Sequence, residues 1–205
     1  MQFWTAVGLM TCLVWVAAGC AATPEHYQLV REEQRLTPGQ RVDLIWANAD
    51  RIARKKYLPL GLGEISTRHV SDQKGITAAE AESWLRDSIR RSAEKANLRL
   101  VFGKQGGTAP ARLDLAITEM YPGSRIGRIF AAEHGAGHAW VQVEGRVVDA
   151  QSGEDLATFV DRRRSSAWIG FRDVFKDASP DLIREMLEGI AGDVVSELYM
   201  KFPQK

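Results

Sequence analysis

Apolar positions along the chain follow two periods, and each predicts its own element. Between Arg41 and Lys56, Val42, Ile45, Trp46, Ala49, Ile52 and Ala53 recur at three- and four-residue steps. That spacing predicts a short amphipathic helix with Arg51, Arg54 and Lys55 outside. From Tyr57 to Val70 the apolar residues Leu58, Leu60, Leu62 and Ile65 are interrupted by Pro59, Gly61 and Gly63, which predicts a ragged or edge strand. Asp72-Gln73-Lys74-Gly75 reads as a turn. Thr77 and Glu80 then have capping-box spacing and open a helix whose inner stripe is Ala81, Trp84, Leu85, Ile89 and Ala96, with Asn97 as its stop. Leu98, Leu100 and Phe102 alternate as a short strand.

The second half repeats the strand period. Leu113, Leu115 and Ile117 point one way, and Arg112, Asp114, Ala116 and Thr118 the other. In Ala139–Ala150 the same logic sets Val141, Val143 and Val147 against Trp140, Gln142, Glu144 and Arg146. Gln151-Ser152-Gly153-Glu154 is a tight reversal, and Leu156, Thr158 and Val160 carry the return strand. Ser179 and Pro180 open a last helix with Ile183, Leu187, Ile190, Val194 and Leu198 as its buried stripe. The order α-β-α-β-β-β-β-α predicts an α+β fold, an antiparallel β-sheet meander packed by helices on one face.

The amino terminus obeys neither period. Phe3 to Ala18 is an apolar run that breaks at Ala17-Ala18-Gly19-Cys20, the pattern of a lipoprotein signal peptide in which small residues precede an acylated Cys20. The run is shorter than the ~18–20 residues that span a bilayer. The chain then divides into a signal peptide over 1–19, an acylated cysteine and flexible tether over 20–40, and a single periplasmic domain over 41–205. Fully extended, the tether would reach roughly 65–70 Å. Ala21 and Ala22 after Cys20, where an Asp would resemble an inner-membrane retention signal, imply the periplasmic face of the outer membrane. Cys12 leaves with the signal and Cys20 is acylated, so the mature chain has neither a disulfide nor a thiolate metal ligand.

Charge sharpens this division. The 205 residues carry 27 Lys and Arg against 26 Asp and Glu, a net of +1, and every charged side chain lies at or beyond Glu25. A near-neutral domain excludes a dedicated nucleic-acid binder, whose phosphate contacts need a strongly basic surface.

Three groups of residues could carry chemistry. Glu133, His134 and His138 combine a carboxylate with two imidazoles, a set that could share a divalent metal in a hydrolase. Gly135 and Gly137 oppose the helix that would bring the two histidines together, and on a strand they would lie some 13 Å apart at ~3.3 Å per residue. The stretch His134-Gly135-Ala136-Gly137 also has the look of an oxyanion-hole loop. No Gly-x-Ser-x-Gly elbow accompanies it, so no catalytic constellation is assembled. No nucleotide loop is present either, and no cofactor is expected. The third group is Arg125, Arg128, Arg162, Arg163 and Arg164, placed at or near strand ends. If they converge they would bind acidic groups through bidentate hydrogen bonds; otherwise they pair locally with Glu119, Asp149, Asp155 and Asp161.

The run Gly123-Ser124-x-x-x-Arg128, Gly135-Ala136-Gly137-x-Ala139 and Asp149-Ala150-x-x-Gly153-x-x-Leu156 resembles a family of proteobacterial outer-membrane lipoproteins classed as a domain of unknown function. The resemblance spans about Leu113 to Val160 and is weaker from Tyr57 onward and in the closing helix. It implies compartment and fold and brings no catalytic residue with it. The expectation is therefore a non-catalytic, membrane-anchored lipoprotein whose periplasmic domain binds an envelope protein or a cell-wall polymer. A metal-assisted hydrolase is the alternative.

Overall fold

The structure, a computed structural model, describes residues 44–68, 70–73, 75–123, 139–164 and 179–203. All of them belong to one compact unit, Arg35–Lys205; a second unit, Met1–Gln34, lies outside the described residues.

The described chain runs β1 (Leu44–Ala47), α1 (Ala49–Arg54), β2 (Leu60–Ser66), α2 (Ala78–Ala96), β3 (Leu100–Val101), a 3-10 turn (Gly103–Thr108), β4 (Ala111–Tyr121), β5 (Trp140–Asp149), β6 (Asp155–Arg164) and α3 (Ser179–Lys201). The strands form one sheet in the order β1-β6-β5-β4-β2-β3. Strands β4, β5 and β6 are the expected antiparallel meander. The class is α+β as expected, and the sheet extends the meander into a mixed one, because β2 pairs parallel with both β3 and β4. A parallel neighbour needs a long crossover, and the segment between β2 and β3 supplies one with α2 inside it.

The first element also differs from its pattern. Leu44–Ala47 pairs with β6 as a strand, and only Ala49–Arg54 is helical. Asn48 divides them: its side-chain oxygen accepts from the Arg51 amide and starts the helix. A short apolar run with Ile45 and Trp46 satisfies either period, and pairing with β6 decides it. The predicted strand through Leu98, Leu100 and Phe102 contracts to two residues. Strand β2 is ragged as expected, with a register shift between Leu62 and Ile65.

Helix boundaries follow local chemistry closely. Thr77 N–H donates to Glu80 Oε2 at 2.8 Å while Glu80 N–H donates to Thr77 Oγ1 at 3.1 Å, the reciprocal capping box. The Thr77 N–H and the Thr77 hydroxyl, which each donate to Glu80 Oε2 at 2.8 Å, lower the pKa of the Glu80 carboxyl. Asn97 ends α2 in the left-handed region at φ 55° and donates its N–H to the carbonyls of Ala93 and Glu94. Gly153, at φ 75°, takes the positive φ that the β5–β6 reversal requires.

The apolar stripes of α2 and α3 close over one sheet face. Ala81, Leu85, Ile89, Ile183, Leu187, Ile190 and Leu198 pack with Leu113, Ile117, Val141, Val143 and Val147 in a single core. Burying an aliphatic side chain contributes about 1.5–3 kcal/mol, so this face supplies most of the driving force for folding. The other sheet face carries the polar residues and is where the candidate site lies.

Candidate functional site

Side-chain alternation separates the arginines of β6. Val141 pairs with Arg163 and Gln142 with Arg162, so Arg163 shares the helix-covered face with Val141, and Arg162 lies on the opposite face with Gln142. Arg163 forms an ion pair with Asp193 of α3 and sits 3.7 Å from Asp161. Gly189 on α3 leaves the room it occupies: a Cβ there would collide with the guanidinium. Arg163 thus joins sheet to helix. Arg162 reaches sideways across the other face, where its Nε donates to Gln142 Oε1 and its Nη2 to Glu119 Oε1, both at 2.6 Å. Gln142 in turn donates to Thr118 Oγ1 at 3.1 Å and to Glu144 Oε1 at 2.8 Å. Thr118, Gln142 and Glu144 are all buried. The result is a connected polar network over β4, β5 and β6, in which each hydrogen bond offsets the cost of burying its partners. Alternation places Arg164 opposite Trp140, on the same side as Arg162. The pairs Arg162–Glu119 and Arg163–Asp161 are local pairings the sequence allowed. Arg125, Arg128, Glu133, His134, His138 and Cys20 lie outside the described residues.

Further along the same face is a second cluster that sequence reasoning did not single out. Arg112 donates from Nε and Nη2 to the two oxygens of Asp114 at 2.7 and 2.9 Å, a bidentate pair that raises the guanidinium pKa. The pair lies over the backbone of β2 because residue 63 is glycine. A Cβ at Gly63 would collide with the Asp114 carboxylate and with the aliphatic stem of Arg112. Arg146, two residues along β5 from Glu144, stands 3.7 Å from Asp114 Oδ2 and 3.9 Å from Asp155 Oδ1. Both separations are within ion-pairing range and too long for hydrogen bonds. Glu64, Ser66, Arg68, Arg112, Asp114 and Arg146 line an open cleft of about 410 Å³. Alternation did reveal Arg112, Asp114 and Arg146 as outward polar residues. The cleft itself needs β2 beside β4 in parallel register, and no local pattern announces that pairing.

A third constellation is structural. The buried Asp149 carboxylate, at the end of β5, receives Lys55 Nζ at 3.0 Å, the Tyr57 hydroxyl at 3.1 Å and the backbone amides of Gln151 and Ser152 at 2.8 and 3.2 Å. Burial acts to raise its pKa, but these donors together outweigh burial and hold it well below the ordinary carboxylate range. They pin the β5–β6 reversal to the segment that follows α1.

Among the described residues no three His, Cys, Asp or Glu side chains come close enough to hold a metal ion. All four histidines of the chain lie outside those residues. Among the described residues no helix is long and apolar enough to cross a membrane.

No protein-family model matches the chain, and no curated protein does. Several solved structures are distantly similar to it. The PelC dodecamer from Paraburkholderia phytofirmans is 12% identical, with a TM-score of 0.46 over 80% of this chain and 97% of that one. Protein XCC0632 from Xanthomonas campestris, placed in a family of unknown function, is 14% identical with a TM-score of 0.44, over 69% of this chain and 84% of that one. Lipoprotein GNA1162 from Neisseria meningitidis is 12% identical with a TM-score of 0.36, over 67% and 99%. Likeness at this level identifies neither activity nor partner.

Proposed function

We propose that the chain is a non-catalytic lipoprotein, anchored through acylated Cys20 to the periplasmic face of the outer membrane, and that its domain is a binding module for an envelope protein or cell-wall polymer. The anchor rests on the apolar segment ending at Ala18-Gly19-Cys20. The binding role rests on one observation. Arg146 stands in an open cleft beside Arg68 and Arg112, with its nearest carboxylates beyond hydrogen-bond distance.

A guanidinium in that condition has donors available for an incoming acid. Arg112 is already satisfied by Asp114, which keeps it fixed in place, whereas Arg146 can exchange two long ion pairs for two short hydrogen bonds to a ligand carboxylate or phosphate. The neighbouring acids Glu64 and Asp114 offset part of the positive charge, which favours a ligand bearing both an acid and a hydrogen-bond donor over a bare polyanion. Arg162, on the same sheet face, extends the surface available to a large partner.

The test is capture from a detergent-solubilised envelope extract by the full chain. Arg146→Ala and Arg162→Ala should each lose partners that the unsubstituted chain retains. Equal capture by all three proteins would remove the sheet face from the account. Metabolic labelling with radioactive palmitate, lost in Cys20→Ser, tests the anchor separately.

A further inference from the structure

The register of β2 against β4 slips at the cleft. Leu62 pairs with Leu113 and Ile65 with Leu115, so Gly63 and Glu64 together face the single residue Asp114. This bulge decides the side on which Glu64 lies. Leu60 and Leu62 face the core, and unbroken alternation would send Glu64 inward after them. The extra residue gives the inward place to Ile65, which is buried, and leaves Glu64 exposed, lining the cleft with Arg112, Asp114 and Arg146.

Glu64 brings the charges there into balance. Arg68 meets Glu64 at 3.3 Å, Arg112 holds Asp114, and Arg146 stands 3.7 Å from Asp114 and 3.9 Å from Asp155. These three guanidiniums and three carboxylates cancel, so they offer no net attraction to a phosphate or a polyanion, but they present both signs side by side. The complementary ligand carries one charge of each sign close together. We infer that the cleft takes a zwitterionic amino-acid centre, with an ammonium and a carboxylate on one carbon: the carboxylate on Arg146, the ammonium on Glu64. Glu64 and Arg68 form an exposed pair, which contributes little to stability and opens readily to admit the ammonium. Arg112 stays tied to Asp114 by two short bonds and holds the wall in place. A volume of about 410 Å³ lies within the roughly 300–1,000 Å³ of small-ligand sites. The assignment rests on the binding-module reading and narrows its partner. A protein carries its terminal ammonium and carboxylate at opposite ends of the chain, whereas a cell-wall stem peptide with an uncrosslinked diamino diacid presents both on one carbon.

The experiment is isothermal titration of the full chain in detergent with the peptide N-acetyl-L-alanyl-γ-D-glutamyl-meso-diaminopimelate, whose last residue has a free zwitterionic centre. This peptide should bind. Acetylating the ammonium of that centre should weaken binding at least about tenfold, and so should lysine in place of diaminopimelate, which removes the carboxylate. Glu64→Gln, a surface change that folding tolerates, should weaken the free peptide by a similar factor and leave the acetylated one unchanged. Arg146→Ala should likewise weaken the free peptide and leave the lysine peptide unchanged. Equal affinity for the free and acetylated peptides, or no binding of the free peptide, would overturn the assignment. If Arg146→Ala still lost envelope partners in that case, the binding module would stand without its zwitterion.

Discussion

On the helix-covered face of the sheet, Ile117, Val143 and Val147 are buried among the aliphatic stripes of α2 and α3; on the opposite face, Thr118, Gln142 and Glu144 are buried too, within hydrogen-bonded contact of one another and of Arg162. The difference lies in what burial does. Apolar burial is non-directional and supplies stability, whereas a buried polar network contributes little net energy and fixes side chains in place. Fixed donors and acceptors are what a recognition surface requires, since a ligand then need not spend binding energy ordering them. The ion pair of Arg163 with Asp193 shows that charge alone does not mark a functional face. It lies on the helix side and works as a joint.

Substitutions on the two faces should separate these roles. The largest effect is expected from Ile117→Ala, which leaves a cavity in the core and should cost about 2–5 kcal/mol of stability in urea denaturation. Next, Arg163→Ala removes the link to Asp193 and one cation facing Asp161. It should cost about 2 kcal/mol, with partner capture unchanged in the folded fraction. Arg162→Ala should do the reverse, losing about 1 kcal/mol of stability and most of the capture. If Arg163→Ala abolished capture and Arg162→Ala did not, the assignment of faces would be inverted.

Acid should act at the β5–β6 reversal. Asp149 is held charged in the folded protein below its unfolded pKa, so its stabilisation is complete above the ordinary carboxylate pKa of about 4 and fades as pH falls below it. Thermal melts from neutral pH down to about pH 3 should show a loss of Tm that is smaller in Asp149→Asn, which is already destabilised at neutral pH. An equal acid slope in both proteins would place the titrating group elsewhere. The smallest expected effect is none: elemental analysis of the purified full chain should find no stoichiometric zinc. Zinc that disappears in the double variant His134→Ala, His138→Ala would favour the hydrolase alternative.

Much of this architecture was legible in the sequence because its causes are local. The Thr77–Glu80 box, the stop at Asn97, the Gly153 reversal and the period of two through β4, β5 and β6 all act within a few residues. The parallel placement of β2 was not legible, since it depends on pairing between residues some fifty positions apart, as in Leu62 with Leu113. The same non-locality hid the cleft: Gly63 reads as a weak point in a strand until Asp114 is seen lying over it. For the arginines, the consecutive residues Arg162, Arg163 and Arg164 read as one patch, and only the strand period separates Arg163 from its neighbours. Alternation was visible in the sequence for this segment as well, and following it to the end of β6 would have separated them.

The measurement that bears most directly on the account is capture of envelope partners by four versions of the full chain: unsubstituted, Arg146→Ala, Arg162→Ala and Arg91→Ala. Arg91 is a control on α2, where it pairs at the surface with Glu188 of α3 at 3.1 Å. The account predicts that Arg91→Ala captures the same partners as the unsubstituted chain, while Arg146→Ala and Arg162→Ala lose them. Loss in Arg91→Ala, with retention in the other two variants, would place recognition on the helices and contradict it.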